Sequence, residues 1–324
     1  MSPASAPSRP PRFSHRIEYL AFRLAAPLLG AWPRVLRAPL ARAAALLWYY
    51  FVPIRRSLVL ASLRRAFPER DAAWRGCTAR RCLAHFLRMM VFESLDLMRP
   101  HSRAAADLVA GVDGWDHARA AGFGLRGSLV VSAHFGNWEV SVSHFAQEHA
   151  VRLAAVAKPM HNPLMEGIVD RSRRAGGWSV IPTRPNPTPR ILRALRDGQA
   201  VALLADQDAR RDGLFVPFLG RLASTPSGPA VLAVRLGLPL LVGLTAREAD
   251  GRYRVRFFPP LVPDPAAPRQ SEIERLTRAH VALLEEAVRE RPEQYFWFHN
   301  RWRTRPRATD RDRNRDRNRD RGDR

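Results

Sequence analysis

Along residues 13–100 apolar side chains recur at three- and four-residue spacing, with few β-branched residues among them, a pattern that predicts helices. Pro53, Pro68 and Pro100 punctuate this region. From about residue 127 the texture changes to short apolar runs separated by polar, helix-forming stretches. Residues 128–133 (SLVVSA), 151–157, 178–181 and 200–205 (AVALLA) read as buried strands. Helices are predicted from the end of the first strand through Glu148, over 162–174 and over 189–196. A helix over 227–236 turns at Gly237 into a strand at 240–245, residues 253–258 alternate like a further strand, and 272–289 form an amphipathic helix. Strands alternating with helices predict an α/β fold, a mostly parallel sheet flanked by helices. In such sheets active-site residues gather where strands end and helices begin.

The predicted organisation is a disordered stretch over 1–12, a helical membrane-associated region over 13–100, an α/β domain over 101–306 and a disordered Arg/Asp-rich tail over 307–324. The membrane reading comes from two apolar segments, 24–33 and 43–54, each shorter than the roughly 18–20 residues that span a bilayer. Arg16, Arg23, Arg34, Arg37 and Arg42 punctuate them, and Arg55 and Arg56 follow. Apolar bodies with spaced arginines predict helices lying at the interface beside anionic headgroups. Trp48, Tyr49 and Tyr50 fit an aromatic anchor at headgroup level. No short apolar run with a small-residue cleavage site marks a signal peptide.

Charge narrows the partners. The net charge is +23 over 324 residues, and Lys158 is the sole lysine. The segment 301–324 holds eleven Arg and five Asp, a net of +6, which leaves +17 on the rest. Such charge implies an anionic partner: nucleic acid, an anionic bilayer, an acidic protein or a phosphorylated substrate. The sequence carries no helix-turn-helix, zinc-ligand or RNA-recognition pattern, so nucleic acid is not expected. Cys77 and Cys82 read as free thiols in a reducing compartment, with too few further ligands spaced for a metal. No G-x-S-x-G elbow announces a serine hydrolase.

The chemistry concentrates in residues 130–139, VVSAHFGNWE. A buried strand runs into Ala133, and His134 follows at the turn. A histidine there can act as general base toward a hydroxyl, provided a carboxylate on its other ring nitrogen fixes the tautomer. Five steps on an ideal helix rotate about 500°, so His134 and Glu139 do not share a regular helical face. The expectation is therefore His134 on the turn and Glu139 in the first helical turn reaching back to it, with Gly136 permitting the bend. The helix N-terminus would then offer amides to a developing oxyanion.

This stretch resembles the H-x4-D/E signature of the glycerolipid acyltransferase superfamily. More closely, the chain resembles the late acyltransferases of lipid A biosynthesis, the lauroyl and myristoyl transferases, over residues 13–306. LRRAFP (63–68) is similar to that family's NL-x-x-AFP element, with Ser62 where Asn is usual. Phe92 and Glu93 end the helix before the catalytic domain. KPMHNP (158–163) is similar to RP-x-x-NP, with Lys158 for Arg, and Asp206–Gln207 match its DQ. GLFVPFLGRLAST (213–225) matches G-x-FV-x-F-x-G-x-x-A-x-T, and RPEQYFWFHNRWR (291–303) resembles HPEQY-x-W-x-H-R-R-W-K, with Arg291 for His.

The resemblance implies transfer of a fatty acyl chain from acyl carrier protein to a hydroxyl of a lipid A precursor, at the cytoplasmic face of a bacterial inner membrane. His134 would be the base and Glu139 its orienting acid, with no cofactor or metal. An arginine on the helix after KPMHNP, Arg173 or its neighbours Arg171 and Arg174, would stabilise the oxyanion or bind phosphate. Lys158 would contact a lipid phosphate. Asp206 and Asn137 complete the expected substrate-binding set. Gly213, Phe215, Phe218 and Thr225 would shape a loop beside the acyl tunnel, with Phe215 and Phe218 equally readable as plain core, while Tyr295, Trp297 and Trp302 pack the last segment on the domain. An acidic carrier protein, an anionic glycolipid and an anionic membrane surface account for the charge. The alternative acceptors are another glycolipid, such as a phosphatidylinositol mannoside, or a lysophospholipid.

Overall fold

The structure, a computed structural model, describes residues 11–99 and 102–306. The disorder expected for 307–324 and for all but the last two positions of 1–12 lies outside the described residues, as does Pro100.

The chain begins with helices α1 (Phe13–Ala31), α2 (Arg34–Phe51), α3 (Arg56–Ala66) and α4 (Ala72–Leu87), then a π-helical stretch at Arg88–Glu93 and the short α5 (Ser94–Leu97). Asp71 starts α4 by accepting the Trp74 N–H at 2.7 Å, which satisfies one of the helix's orphan amides. The helix α6 (Ala104–Leu108) leads into β1 (Val109–Asp113) and α7 (Trp115–Ala120). Then come β2 (Ser128–Ser132), α8 (Trp138–Glu148), β3 (Leu153–Ala157), α9 (Pro163–Ala175), β4 (Trp178–Pro182), α10 (Thr188–Arg196) and β5 (Ala200–Leu204). A hairpin of β6 (Leu214–Phe218) and β7 (Arg221–Thr225) precedes α11 (Gly228–Leu236), β8 (Leu240–Arg247), β9 (Tyr253–Phe257) and α12 (Arg269–Glu290).

Seven strands form one sheet in the order β1-β9-β8-β2-β5-β3-β4. Pairing is parallel except between β8 and β9. The fold is thus α/β with a mostly parallel sheet flanked by helices. Its central strands are continuous apolar runs because both faces are covered. Leu129, Val131 and Ala133 of the β2 segment pack with α11 and α12, whereas Val130 packs with α7 and α8.

Two connections set the site. The chain leaves β2 through α8 toward β3, and leaves β5 through the hairpin and α11 toward β8, on the opposite side of β2. Ligands in open α/β sheets bind at such a reversal, beyond the carboxyl ends of the strands. The β2–β5 register pairs Ser132 with Leu204. Two residues further along each strand stand His134 and Asp206.

Residues 213–225, expected as a loop, are the antiparallel hairpin β6–β7. Phe218 is buried in the core beside Tyr295 and Trp302. The aromatic anchor expected at 48–50 is also divided. Tyr49 is buried under Arg56 and Arg80, the Trp48 indole N–H donates to the Ile54 carbonyl, and only Tyr50 stands exposed. No helix of the described residues is long and apolar enough to cross a membrane.

Candidate active site

Gly136 makes the turn after β2. Its φ is +58°, and an added Cβ would lie 1.6 Å from the Thr245 carbonyl oxygen, so only glycine fits. Asn137 caps α8 by accepting the Val140 N–H at 3.1 Å. The C-terminal segment then locks the turn from outside. Gly136 N–H donates to the Gln294 carbonyl and Phe296 N–H to the His134 carbonyl, each at 3.0 Å. The Gln294 side chain in turn forms a reciprocal pair with the backbone of Arg247 at the end of β8.

The His134 ring is held on three sides. Trp138 meets it edge-on at 4.8 Å between centroids, Phe296 lies tilted at 5.7 Å, and Nδ1 is 2.8 Å from Asp206 Oδ1. Its side chain retains 21% exposure, against 2% for Asp206. The Gln207 amide nitrogen sits 3.4 Å from Nε2. Burial acts to lower the His134 pKa, but the charge and hydrogen bond of Asp206 outweigh it, and the net shift is upward. For Asp206 burial acts upward and His134 overrides it, leaving the carboxyl lowered. A histidine with a buried carboxylate on Nδ1 has Nε2 directed to accept a proton, and its imidazolium is stabilised once formed.

This pairing corrects the sequence expectation. The carboxylate on His134 is Asp206, from the adjacent strand end, rather than Glu139. Glu139 lies in the first turn of α8, as the rotation argument requires, but its carboxylate is ion-paired with Arg173 of α9. Arg173 also lies over the Trp178 ring, at 5.2 Å. The other expected substrate contacts are placed as follows. Asn137 is buried, its oxygen spent on the cap and its nitrogen donating to Glu93 at 2.9 Å. Lys158 and Arg171 are exposed, and Arg174 pairs with Asp170 on its own helix. The turn offers fewer amides than expected, since those of Gly136 and Val140 are taken.

Under α8 runs an apolar cavity. One sheet face lines it through alternate residues of five strands, including Ala155, Ala202 and Gly243, whose small side chains hollow that face. Phe123, Phe145 and Phe257 stand at its aromatic wall. Its polar edge is Glu139 and Arg173, and the Arg173 Nε is buried with no hydrogen-bond partner. His134 opens instead into a small recess beside His85, Gln294 and Phe296, and Trp138 is a wall common to both spaces. Gly213, Phe215, Phe218 and Thr225 do not line the cavity.

Sequence reasoning placed Glu93 at the end of a helix and gave it no chemical role; the helical stretch instead runs on through Glu93 into α5. Glu93 is buried, accepts from Asn137 Nδ2 and the Tyr253 hydroxyl at 2.9 and 2.7 Å, and pairs with Arg247 at 2.6 Å and Arg88 at 3.2 Å. Burial acts to raise its pKa, but Arg247 and the hydrogen bonds carry the net shift downward. Its signal was an acidic residue inside an otherwise apolar helical run, which a core tolerates only when paired. Cys82 is inert, buried with its thiol pushed up to about 12 by burial, and both cysteines are free thiols. The described residues hold no cluster of three metal-ligating side chains.

A His–Asp pair thus stands at the strand ends beside an apolar cavity suited to a hydrophobic group. The chain belongs to the bacterial lipid A biosynthesis acyltransferase family, whose sequence model matches residues 7–304. It is similar to the lipid A biosynthesis palmitoleoyltransferase of Escherichia coli (strain K12), 29% identical over 262 residues, 79% of this chain and 81% of that protein. It is also similar to the lipid A biosynthesis lauroyltransferase of the same organism, 29% identical over 60% of this chain and 62% of that one. A third relative is the phosphatidylinositol mannoside acyltransferase of Mycobacterium tuberculosis (strain ATCC 25618 / H37Rv), 30% identical over 44% of this chain and 45% of that protein. The protein is an acyltransferase.

Proposed function

We propose that the enzyme moves a fatty acyl chain from acyl carrier protein to a hydroxyl of a phosphorylated glycolipid, a lipid A precursor, at the cytoplasmic face of the inner membrane. The observation that carries the chemistry is the His134–Asp206 pair at the end of the apolar cavity's shared wall, Trp138. His134 Nε2 takes the proton of the acceptor hydroxyl as its oxygen attacks the thioester carbonyl. Arg173, at the polar edge of the apolar cavity, is the cation that would meet the negative charge developing on the carbonyl oxygen. Collapse of the tetrahedral intermediate breaks the C–S bond, and the imidazolium returns its proton to the leaving thiolate. Glu139 is a positioning residue that aims Arg173.

The acyl chain of the donor fits the cavity under α8, which excludes water from the reacting carbonyl. Membrane association rests on α1 and α2. Ile17, Leu20, Leu24 and Leu28 stand exposed at three- and four-residue spacing on α1, as do Leu46, Leu47, Tyr50 and Phe51 on α2. The basic surface suits docking of an acidic carrier protein.

The lipid A acceptor is preferred over a mannoside because the similarity to lipid A transferases covers most of the chain and that to the mannoside transferases less than half. The test is single-turnover transfer from an acyl carrier protein thioester to a tetra-acylated lipid A precursor by wild type and by His134→Ala. Loss of roughly three orders of magnitude or more in the variant is expected for removal of a general base. A variant within tenfold of wild type would remove His134 from the mechanism.

A further inference from the structure

A second concave site shares walls with the His134 recess and is lined largely by charged rather than apolar side chains. It is a cleft of about 850 Å³ between the N-terminal helices and the carboxyl end of the sheet. Small residues, Ala38 and Ala41 of α2 and Ala84 of α4, leave the space. Six arginines converge on it: Arg42, Arg80, Arg81, Arg88, Arg247 and Arg291. Two carboxylates, Glu248 and Glu293, share the lining, so the walls carry a net +4 (six minus two).

The arginines divide into two sets. Arg88 and Arg247 share Glu93 behind the wall, and Arg291 pairs with Glu248. Arg42, Arg80 and Arg81 have no carboxylate partner among the described residues; Arg80 lies over the Tyr49 ring at 5.3 Å, and Arg42 and Arg81 are exposed. Convergent cations cost free energy unless an anion neutralises them. Such a cleft is built for an anion that presents several oxygens, and guanidinium forks match phosphate geometry.

Position says which anion. His85 and Gln294 line both this cleft and the recess of His134. One wall is α2, whose exposed Leu46 also lines the cleft and whose Leu47, Tyr50 and Phe51 stand exposed nearby in the chain. Cation-lined space on one side of an apolar helix fits an amphiphile with its tails along the helix and its anionic head in the cleft. A molecule so placed presents its hydroxyls toward His134. We propose that this cleft binds the phosphate-bearing sugar headgroup of the acceptor lipid, with Arg42 and Arg81 as its free cations. The proposal rests on the acyl-transfer reading above and adds where acceptor specificity resides: the cleft, rather than Lys158 or Arg171, reads the phosphate.

The test uses the full chain in mixed micelles and two probes, a bis-phosphorylated tetra-acylated glucosamine disaccharide and the same lipid with its phosphates removed. Binding is measured by equilibrium titration to His134→Ala protein, which does not depend on turnover, and KM is measured with the active enzyme. The Arg42→Gln/Arg81→Gln double variant is expected to weaken binding of the phosphorylated probe about tenfold or more, and to raise its KM to match, since two charge-assisted contacts are lost. The dephosphorylated probe binds wild type weakly and is insensitive to the variant. Arg196→Gln, at the far end of α10, changes neither. Equal losses on both probes, or no loss on either, overturn the proposal. So does a rise in KM confined to the acyl carrier protein, which would make the cleft a protein dock. Phosphate-dependent binding without any transfer by wild type would refute the acyl-transfer reading and keep the cleft; transfer with phosphate-independent binding would do the reverse.

Discussion

At His134 two opposed effects meet, and their balance is testable. Burial favours the neutral imidazole; Asp206 favours the charged one and prevails. As the proposed base, His134 must be neutral to work, so activity is expected to fall as pH drops through a pKa lying above the ordinary 6.5. Asp206→Asn removes the charge and leaves the burial. The acid limb of kcat/KM should therefore move to lower pH while kcat falls about 10²- to 10⁴-fold, as tautomer control is lost. Glu139→Gln should lower the rate through Arg173 but leave the acid limb in place. A limb that moves in Glu139→Gln and stays in Asp206→Asn would restore the arrangement the sequence predicted. His134, Glu139, Arg173 and Asp206 were all legible in the sequence as residues. Their pairing was not, because it depends on β5 lying beside β2, and strand order is a property of crossovers rather than of local pattern.

Among the elements, the strands that apolar runs encode match within two residues, while the amphipathic helix expected from 272 begins three residues earlier, at Arg269. The central parallel strands are such runs because both their faces are buried. What escaped was the stretch before β2, with the short helices α6 and α7 and β1, an edge strand with an Ala and a Gly among its five residues, and the β6–β7 hairpin. The hairpin had a signal in Leu219–Gly220, both at positive φ, the two-residue turn that matches strand twist. A leucine in the first of those positions obscures it. The π-helical stretch places Glu93 where it ties the N-terminal helices to the cap of α8, to β8 and to β9. Replacing Glu93 by Gln leaves Arg247 and Arg88 uncompensated and should cost about 3–5 kcal/mol, read as a shift in chemical denaturation midpoint. Its folded pKa lies below the ordinary 4.5, so its contribution is present above that pH and is lost as pH falls through the lower folded value. A midpoint unchanged within experimental scatter at pH 7, or a difference between wild type and variant that grows on acidification, would contradict this role.

Across the whole molecule the two sides of the sheet have different tasks. One face is hollowed by small residues into an apolar cavity; the other packs on α11 and α12 as a solid core. At the carboxyl ends of the strands the cavity, the His134 recess and the arginine-lined cleft share walls at Trp138, His85 and Gln294. A thioester-borne chain, a hydroxyl and a phosphate can thus be brought together at one edge. The net charge of +23 announced an anionic partner from the sequence, but not its location, since the arginines that converge on the cleft come from α2, from α4 and the π-helical stretch after it, from the end of β8 and from the segment after α12. The most direct measurement of the central claim is a competition. Wild-type enzyme in mixed micelles receives an acyl carrier protein thioester and equal amounts of a tetra-acylated phosphorylated lipid A precursor, a phosphatidylinositol mannoside and a lysophospholipid, and products are read by mass spectrometry. One added acyl mass is expected on the lipid A precursor in preference to the others. Transfer to the lysophospholipid alone, or to none of the three by folded protein, would contradict it.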